Sequence, residues 1–399
     1  MPLDRARPRA KATKVVFVTP TLAFGGAERV LITLIEALDR TVCEPVLVAL
    51  SKTGSYERDL PGWLRVHDLG RKGRLCFPAL VLRMAGVLRA ERPQAVVGFT
   101  GLANFVLLVA RRIAGTRTRV IVTEHINPTQ MYRSSEEPLG RVKRRMIRWL
   151  YPSADLVIAV SQGVKDDLVA NFGLSWNQVR VIPNPLDLAR IRALGAHPVE
   201  HPWFGSAQPL VLSAGRMTSQ KDFPTLIRAF AMLRRRQRAR LVLLGDGPER
   251  GRLEDLARDL GIADDTAFLG YQPNPYKYMA KSTVFALPSR FEGFGLVLAE
   301  AMALGVPVIS TRCPSGPGEI LEHGASGLLV PVGDPGSLAS AMISLIVNPE
   351  LRTRFAARGL KRAEDFSAQR IAGQYARCIT GVKDAPSEHD IQVPEMIAS

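Results

Sequence analysis

Residues 284–310 read VFALPSRFEGFGLVLAEAMALGVPVIS, and this stretch decides the architecture. An apolar run, Val284–Leu287, leads into a turn carrying Gly293 and Gly295. A helical run follows over Leu296–Leu304, then the breakers Gly305 and Pro307, then a second apolar run, Val308–Ser310. Strand, turn, helix and strand in this order make a crossover unit. Unbroken apolar strands separated by helices belong to a parallel sheet covered on both faces.

The same alternation extends outward along the chain. Upstream in the second half, strands are expected at Leu210–Ala214, Arg240–Leu244 and Thr266–Leu269, with helices at Thr225–Arg235, Pro248–Leu260 and, downstream, Gly336–Ile346. The first half predicts strands at Val15–Thr19, Pro45–Leu50, Arg65–Leu69, Ala95–Phe99, Val120–Glu124, Leu156–Val160 and Val179–Ile182. Helices are expected there at Ala27–Leu38, Ala79–Ala90 and Leu102–Ile113. With 399 residues the chain is too long for one ordinary α/β domain. The expected layout is a short irregular N-terminus (1–12) and a first Rossmann-like domain (13–190). A Pro/Gly/His-rich linker (191–208) leads to a second such domain (209–362). A C-terminal helix (363–383) returns to the first domain, and a frayed tail (384–399) ends the chain. Two doubly wound domains face to face leave a cleft beyond the carboxyl ends of their strands, which is where ligands of such sheets bind.

Composition narrows the setting. Hydrophobic residues make up 46% of the chain, and the net charge is +16. The excess is uneven: residues 1–190 carry 29 Lys+Arg against 16 Asp+Glu, whereas residues 191–399 carry 24 against 21. A basic first half suggests an anionic partner, with Arg-rich solvated faces as the plainer alternative. No uncharged apolar run approaches the ~18 residues of a membrane-spanning helix. Residues 1–12 are basic and lack the apolar core of a secretory signal. Cys43, Cys76, Cys313 and Cys378 are scattered, with no C-x-x-C pair, as in a reducing compartment. A cytoplasmic protein is expected.

Four clusters carry chemistry. In Phe291–Glu300, glycines at a strand-to-helix turn let the backbone approach a ligand, and the free N–H groups of the new helix attract an anion. Glu292 lies in the loop and Glu300 in the second turn of the helix, so the two carboxylates grip different parts of one extended ligand. An ordinary turn with two solvent-facing glutamates is the bland alternative. Arg216 and Lys221 follow the strand Leu210–Ala214; a guanidinium fork and an ammonium at a strand's carboxyl end suit a diphosphate, though alone they read equally as surface charge. Phe24-Gly25-Gly26-Ala27-Glu28 is a Gly turn between the first strand and first helix. It is not the G-x-G-x-x-G of a nicotinamide cofactor. His125 in Thr123-Glu124-His125 ends a strand, where it serves either a sugar hydroxyl or the local structure.

Taken together these stretches resemble glycosyltransferase family 4, whose members share the two-domain GT-B fold. The resemblance spans about residues 14–380 and is densest over 210–330. It implies a nucleoside-diphosphate sugar as donor and retention of anomeric configuration. By resemblance Glu292 contacts hydroxyls of the transferred sugar and Glu300 the nucleotide ribose. Arg216 and Lys221 face the diphosphate, with the backbone N–H groups of about Gly295, Leu296 and Val297. Gly25 and Gly26 face the donor across the cleft, and His125 contacts the sugar. Asn184 ends the first domain, where Pro185 departs from the Asn-Gly usual in the family. Asp246 and Tyr271 border the base pocket by the same resemblance, though the turn Gly245-Asp246-Gly247-Pro248 reads equally as purely structural, and Arg290 lines the cleft. The run Cys313–Ile320 (CPSGPGEI) resembles members acting on lipid-linked or polysaccharide acceptors, several of which use N-acetylated hexosamines. The expected activity is a retaining hexosyl transfer, N-acetylhexosaminyl transfer being one form of it, from a UDP-linked donor. The chain has no D-x-D sequence, so no metal or other cofactor is expected and the cations stand in for it.

Residues 141–151 (RVKRRMIRWLY) predict a basic amphipathic helix, with Val142, Met146, Trp149 and Leu150 on one face and Arg141, Arg144, Arg145 and Arg148 on the other. Such a helix suits the anionic inner surface of the cytoplasmic membrane, or simply packs with a solvated basic face. A nucleic-acid partner is not expected: Arg234-Arg235-Arg236-Gln237-Arg238 has no accompanying binding motif. A nucleotide-sugar epimerase and a donor-binding subunit without activity are the rival readings of the same architecture.

Overall fold

A computed structural model describes residues 12–23, 25–71, 76–133, 137 and 139–382. Phe24 of the Gly turn, residues 1–11 and residues 383–399 lie outside the described residues.

Seven strands form the first sheet: β1 (Thr13–Thr19), β2 (Cys43–Ala49), β3 (Arg65–Asp68), β4 (Ala95–Phe99), β5 (Arg119–Glu124), β6 (Leu156–Ala159) and β7 (Val179–Val181). They run in the order β3-β2-β1-β4-β5-β6-β7 with every pairing parallel. The second sheet holds β8 (Leu210–Ala214), β9 (Arg240–Leu244), β10 (Thr266–Gly270), β11 (Val284–Leu287), β12 (Val308–Thr311) and β13 (Leu328–Val330). Its order is β10-β9-β8-β11-β12-β13, again all parallel. Both orders reverse at the first strand of the domain, the switch point where doubly wound sheets bind ligands. β1, β8 and β11 are apolar on both faces because helices cover both sides. β13 has only three residues, too few for a period to stand out, and the sequence reading passes over it.

The junction differs from a plain linker. Leu188–Gly195 is a helix, started by the Asp187 carboxylate accepting the Arg190 N–H at 3.0 Å and anchored by buried Leu188 and Ile191. It runs into the stretch 191–208, and Pro202–Gly205 forms a further helical turn. Local capping and two apolar anchors outweigh the Pro/Gly content there.

The last helix, Ala368–Thr380, leaves the second domain and packs under the first. Leu186 and Ser367 form a β-bridge at the crossing. Ile371, Ala372, Tyr375, Cys378 and Ile379 join the core beneath β1 and β4. The Tyr375 ring stacks on Phe99 with centroids 6.5 Å apart, and Phe99 stacks on His125 at 5.1 Å. Burying a side chain of this size contributes roughly 1.5–3 kcal/mol.

Candidate active site

The carboxyl ends of β1, β5, β8, β9 and β11 meet across a cleft of about 1070 Å³. Gly25, Gly26, His125, Asn184, Arg216, Lys221, Asp246, Tyr271, Glu292, Gly295, Leu296, Val297 and Glu300 all line it. This is the size of a pocket that takes an extended small ligand.

Two glycines shape its second-domain wall. Gly295 sits at φ +100°, a left-handed conformation costly for other residues, and opens the helix Leu296–Ala303. The first N–H groups of that helix have no partner within it and face the cleft at Leu296 and Val297. At Gly293 a Cβ would stand 2.0 Å from the carbonyl oxygen of His125. Only a residue without a side chain lets this turn touch the end of β5.

The Lys221 ammonium lies 2.5 Å from Glu292 Oε1, which also accepts the Ser289 hydroxyl at 2.7 Å. Glu292 is buried, so its charge is held by these two donors. Arg216 is exposed on the same wall and makes no ion pair among the described residues. On this wall Lys221 is neutralised by Glu292, whereas Arg216 is available to an anion. On the facing wall His125 Nε2 is 2.8 Å from Thr123 Oγ1, and Nδ1 is 3.1 Å from Asn184 Oδ1. Burial pushes its pKa down to about 4, against the hydrogen bond that Nδ1 donates to Asn184 Oδ1, so the ring is neutral near pH 7.

Glu300 is 1% exposed. Its Oε1 accepts from Tyr276 Oη at 3.0 Å and pairs with Arg29 Nη2 at 3.2 Å, while Oε2 is buried without a partner. Burial raises the Glu300 pKa, and Arg29 and Tyr276 pull it back. A buried carboxylate oxygen with no partner on the cleft wall is a vacant acceptor for a hydroxyl. Tyr271 is half exposed on the cleft, and Asp246 is an exposed neighbour paired to Arg250 at 3.3 Å.

Two expectations are corrected. Arg290 does not line the cleft: its guanidinium pairs with buried Asp222 at 3.3 Å beside it. The apolar face expected on the helix Gly140–Leu150 is split: Met146 and Leu150 pack partly against the core beside buried Gly140 and Ile147, whereas Val142 and Trp149 are exposed, at 51% and 69%, alongside Arg141, Arg145 and Arg148. Arg144 is drawn partly inward, its guanidinium 6.0 Å from the Phe172 ring. Ile147 faces the core because the helix crosses at a different rotation from the one the charge pattern suggested.

The domains also touch at the other end of the cleft. The Glu319 carboxylate accepts from the backbone N–H groups of Gln162 and Gly163, at 2.6 and 2.9 Å, capping a first-domain helix (Gln162–Phe172) from the second domain. The Ser161 hydroxyl donates to the Gly293 carbonyl at 2.6 Å, and the Asn127 amide to the Ser315 hydroxyl at 3.0 Å. Sequence reasoning missed Arg29, Tyr276, Asn127 and Ser161. Arg29 stands one residue past the Gly25–Glu28 turn, and that proximity was the only signal. Among the described residues no three His, Cys, Asp or Glu side chains converge as metal ligands, and no helix is long and apolar enough to cross a membrane.

Known proteins match this layout. Residues 24–190 match the model of Glycosyltransferase Family 4, and residues 203–362 that of Glycosyl transferases group 1. An N-acetylgalactosamine-N,N'-diacetylbacillosaminyl-diphospho-undecaprenol 4-alpha-N-acetylgalactosaminyltransferase of Campylobacter jejuni is 31% identical over 90% of this chain and 98% of its own. A lipopolysaccharide core biosynthesis glycosyltransferase of Rhizobium meliloti is 28% identical over 89% and 96%. Anabaena HepE, solved in complex with UDP, superposes with a TM-score of 0.78 at 22% identity, over 92% of this chain and all of its own. The likeness to HepE is one of fold: two Rossmann-like domains facing across a cleft, the GT-B arrangement.

Proposed function

Since the chain belongs to glycosyltransferase family 4, with a group 1 second domain, we propose that it moves a hexosyl unit from a UDP-linked sugar to a hydroxyl of a lipid-linked or polysaccharide acceptor, with retention and without a metal. The observation that carries this is the meeting, on one cleft, of an available guanidinium, a Lys–Glu pair, a neutral histidine and a carboxylate with one vacant oxygen. The HepE complex with UDP and the undecaprenyl-linked substrate named for the Campylobacter relative support the donor and acceptor classes.

Each group then has a part. Glu300 takes the ribose, and Asp246 and Tyr271 border the base. Arg216, Lys221 and the amides of Leu296 and Val297 face the diphosphate and stabilise charge as it departs. Gly25 and Gly26 let the first helix approach it. Glu292 and His125 orient the sugar, and Asn184 holds His125 from the end of the first domain. The bond from the anomeric carbon to phosphate breaks while the acceptor oxygen attacks the same face. The acceptor's proton passes to the leaving phosphate, so no protein nucleophile is required. Closure of the domains keeps water out.

The solvent face of the helix Gly140–Leu150, with Leu139, Val142 and Trp149 among Arg141, Arg145 and Arg148, supports docking on the anionic inner face of the cytoplasmic membrane. The expected result is binding to anionic but not neutral vesicles, lost when those arginines become glutamates. Equal binding by the variant refutes the docking.

The donor reading is tested by melting temperature with UDP, GDP or ADP and a chelator, on wild type and Arg216→Ala. Stabilisation by UDP in wild type, lost in the variant, supports it. If no nucleotide stabilises the protein, the reading fails. If stabilisation appears only with a divalent metal, the metal-independent part fails.

A further inference from the structure

Arg29 belongs to the first helix of the first domain, Gly26–Ala37, and Glu300 to the helix Leu296–Ala303 of the second. Between them lies the phenol of Tyr276. Arg29 Nη1 donates to Tyr276 Oη at 2.8 Å, Tyr276 Oη donates to Glu300 Oε1 at 3.0 Å, and Arg29 Nη2 reaches the same oxygen at 3.2 Å. All three side chains line the cleft. Oε1 is therefore occupied twice, and Oε2 is left buried without a donor.

We propose that Arg29 is a positioning residue for the donor nucleotide: reaching across the cleft, it engages one oxygen of Glu300 and turns the other to the ribose hydroxyls. The inference rests on the donor reading above. A carboxylate this buried is stable as an anion only beside a cation, and Arg29 is the cation paired with it. The guanidinium fork spans both the phenol and the carboxylate, which fixes the rotation of the carboxyl group as a point charge does not. The contact joins two domains, so Glu300 is set for ribose only while the cleft is closed. Discrimination between ribose and deoxyribose then depends on a first-domain residue, although the ribose carboxylate is in the second.

The test is calorimetric titration of UDP and 2′,3′-dideoxy-UDP into wild type, Arg29→Gln, Arg29→Lys and Glu300→Gln. Wild type is expected to prefer UDP by roughly tenfold or more, the scale of a buried hydrogen bond to a charged group. In Arg29→Gln the preference shrinks to within about twofold, as in Glu300→Gln, while affinity for the dideoxy nucleotide changes little. Arg29→Lys falls between, and it carries the same comparison if the Gln variant does not fold. An unchanged preference in the folded Arg29 variants overturns the proposal. So does an equal loss for both nucleotides, which places Arg29 on the diphosphate instead. If wild type binds neither UDP, GDP nor ADP, the donor reading itself has failed. That outcome differs from tight UDP binding with an unaltered ratio.

Discussion

The two ends of the cleft are joined across the domains by different means. At one end the contact is a buried cluster of Arg29, Tyr276 and Glu300, in which Glu300 Oε2 and Arg29 Nε have no partner. At the other, Glu319 caps a helix, Ser161 donates to Gly293 and Asn127 to Ser315, with hydrogen bonds of 2.6 to 3.0 Å. The first end leaves two buried polar atoms unsatisfied by the chain itself. The second is satisfied by itself and holds the domains together. Under the proposed donor reading, recognition and fastening are separate jobs, given to buried charge in one place and to backbone caps in the other.

The separation predicts distinct responses. At the recognition end, Lys221→Ala leaves Glu292 buried without its cation and the diphosphate with one fewer charge. Transfer from UDP-sugar should fall about 10²–10³-fold, measured as UDP release. At the fastening end, Glu319→Ala uncaps two N–H groups. It should lower stability by about 1–2 kcal/mol in urea melts and enlarge the radius of gyration in X-ray scattering, with a smaller loss of activity. A variant that lost activity but kept both stability and compactness would erase the distinction between the ends.

Between the ends, β5 carries two titrating neighbours with opposite signs. His125 is pushed down to about 4 by burial, so between pH 6.5 and 4 the unfolded chain binds a proton that the folded one refuses. Acidification there removes stability. Glu124 is pushed up to about 7 by burial, despite the Tyr151 hydroxyl donating to it at 2.8 Å. Between pH 4.5 and 7 the folded chain keeps a proton that the unfolded one releases, so alkalinisation removes stability. In wild type the two slopes oppose each other. Glu124→Gln should leave stability rising with pH over this window, and His125→Gln should leave it falling, each by up to ~2–3 kcal/mol in urea melts. The smallest effect is expected from Arg258→Ala. Its pair with Asp255 is exposed on both sides and lies outside the cleft, so it is worth at most about 0.5 kcal/mol, and UDP affinity should not move.

The fold was legible because both sheets repeat one physical pattern. Leu210–Ala214, Arg240–Leu244 and Val284–Leu287 are strands within the bounds their apolar runs suggest. The Glu292–Glu300 turn was legible because its glycines are required locally. What escaped the sequence reading are contacts between segments far apart in the chain. Nothing near Arg29 says that Glu300 lies opposite, and nothing in Gln162-Gly163 says that its capping carboxylate comes from residue 319. Arg290 was misplaced for a similar reason: its partner, Asp222, sits in a left-handed turn whose direction no spacing rule gives. The rotation of the helix Gly140–Leu150 was set by Ile147 meeting the core, not by the charge pattern.

The stack of Tyr375 on Phe99 on His125 has a temporal consequence. Synthesis runs from the N-terminus, and the core beneath β1 and β4 is completed by residues 371–379. While the ribosome is still making the second domain, the first has its strands but not the helix that covers this apolar patch. The nascent chain is exposed to aggregation or chaperone capture until the helix Ala368–Thr380 has emerged. The floor beneath His125 is laid only then, so the enzyme cannot ripen one half at a time.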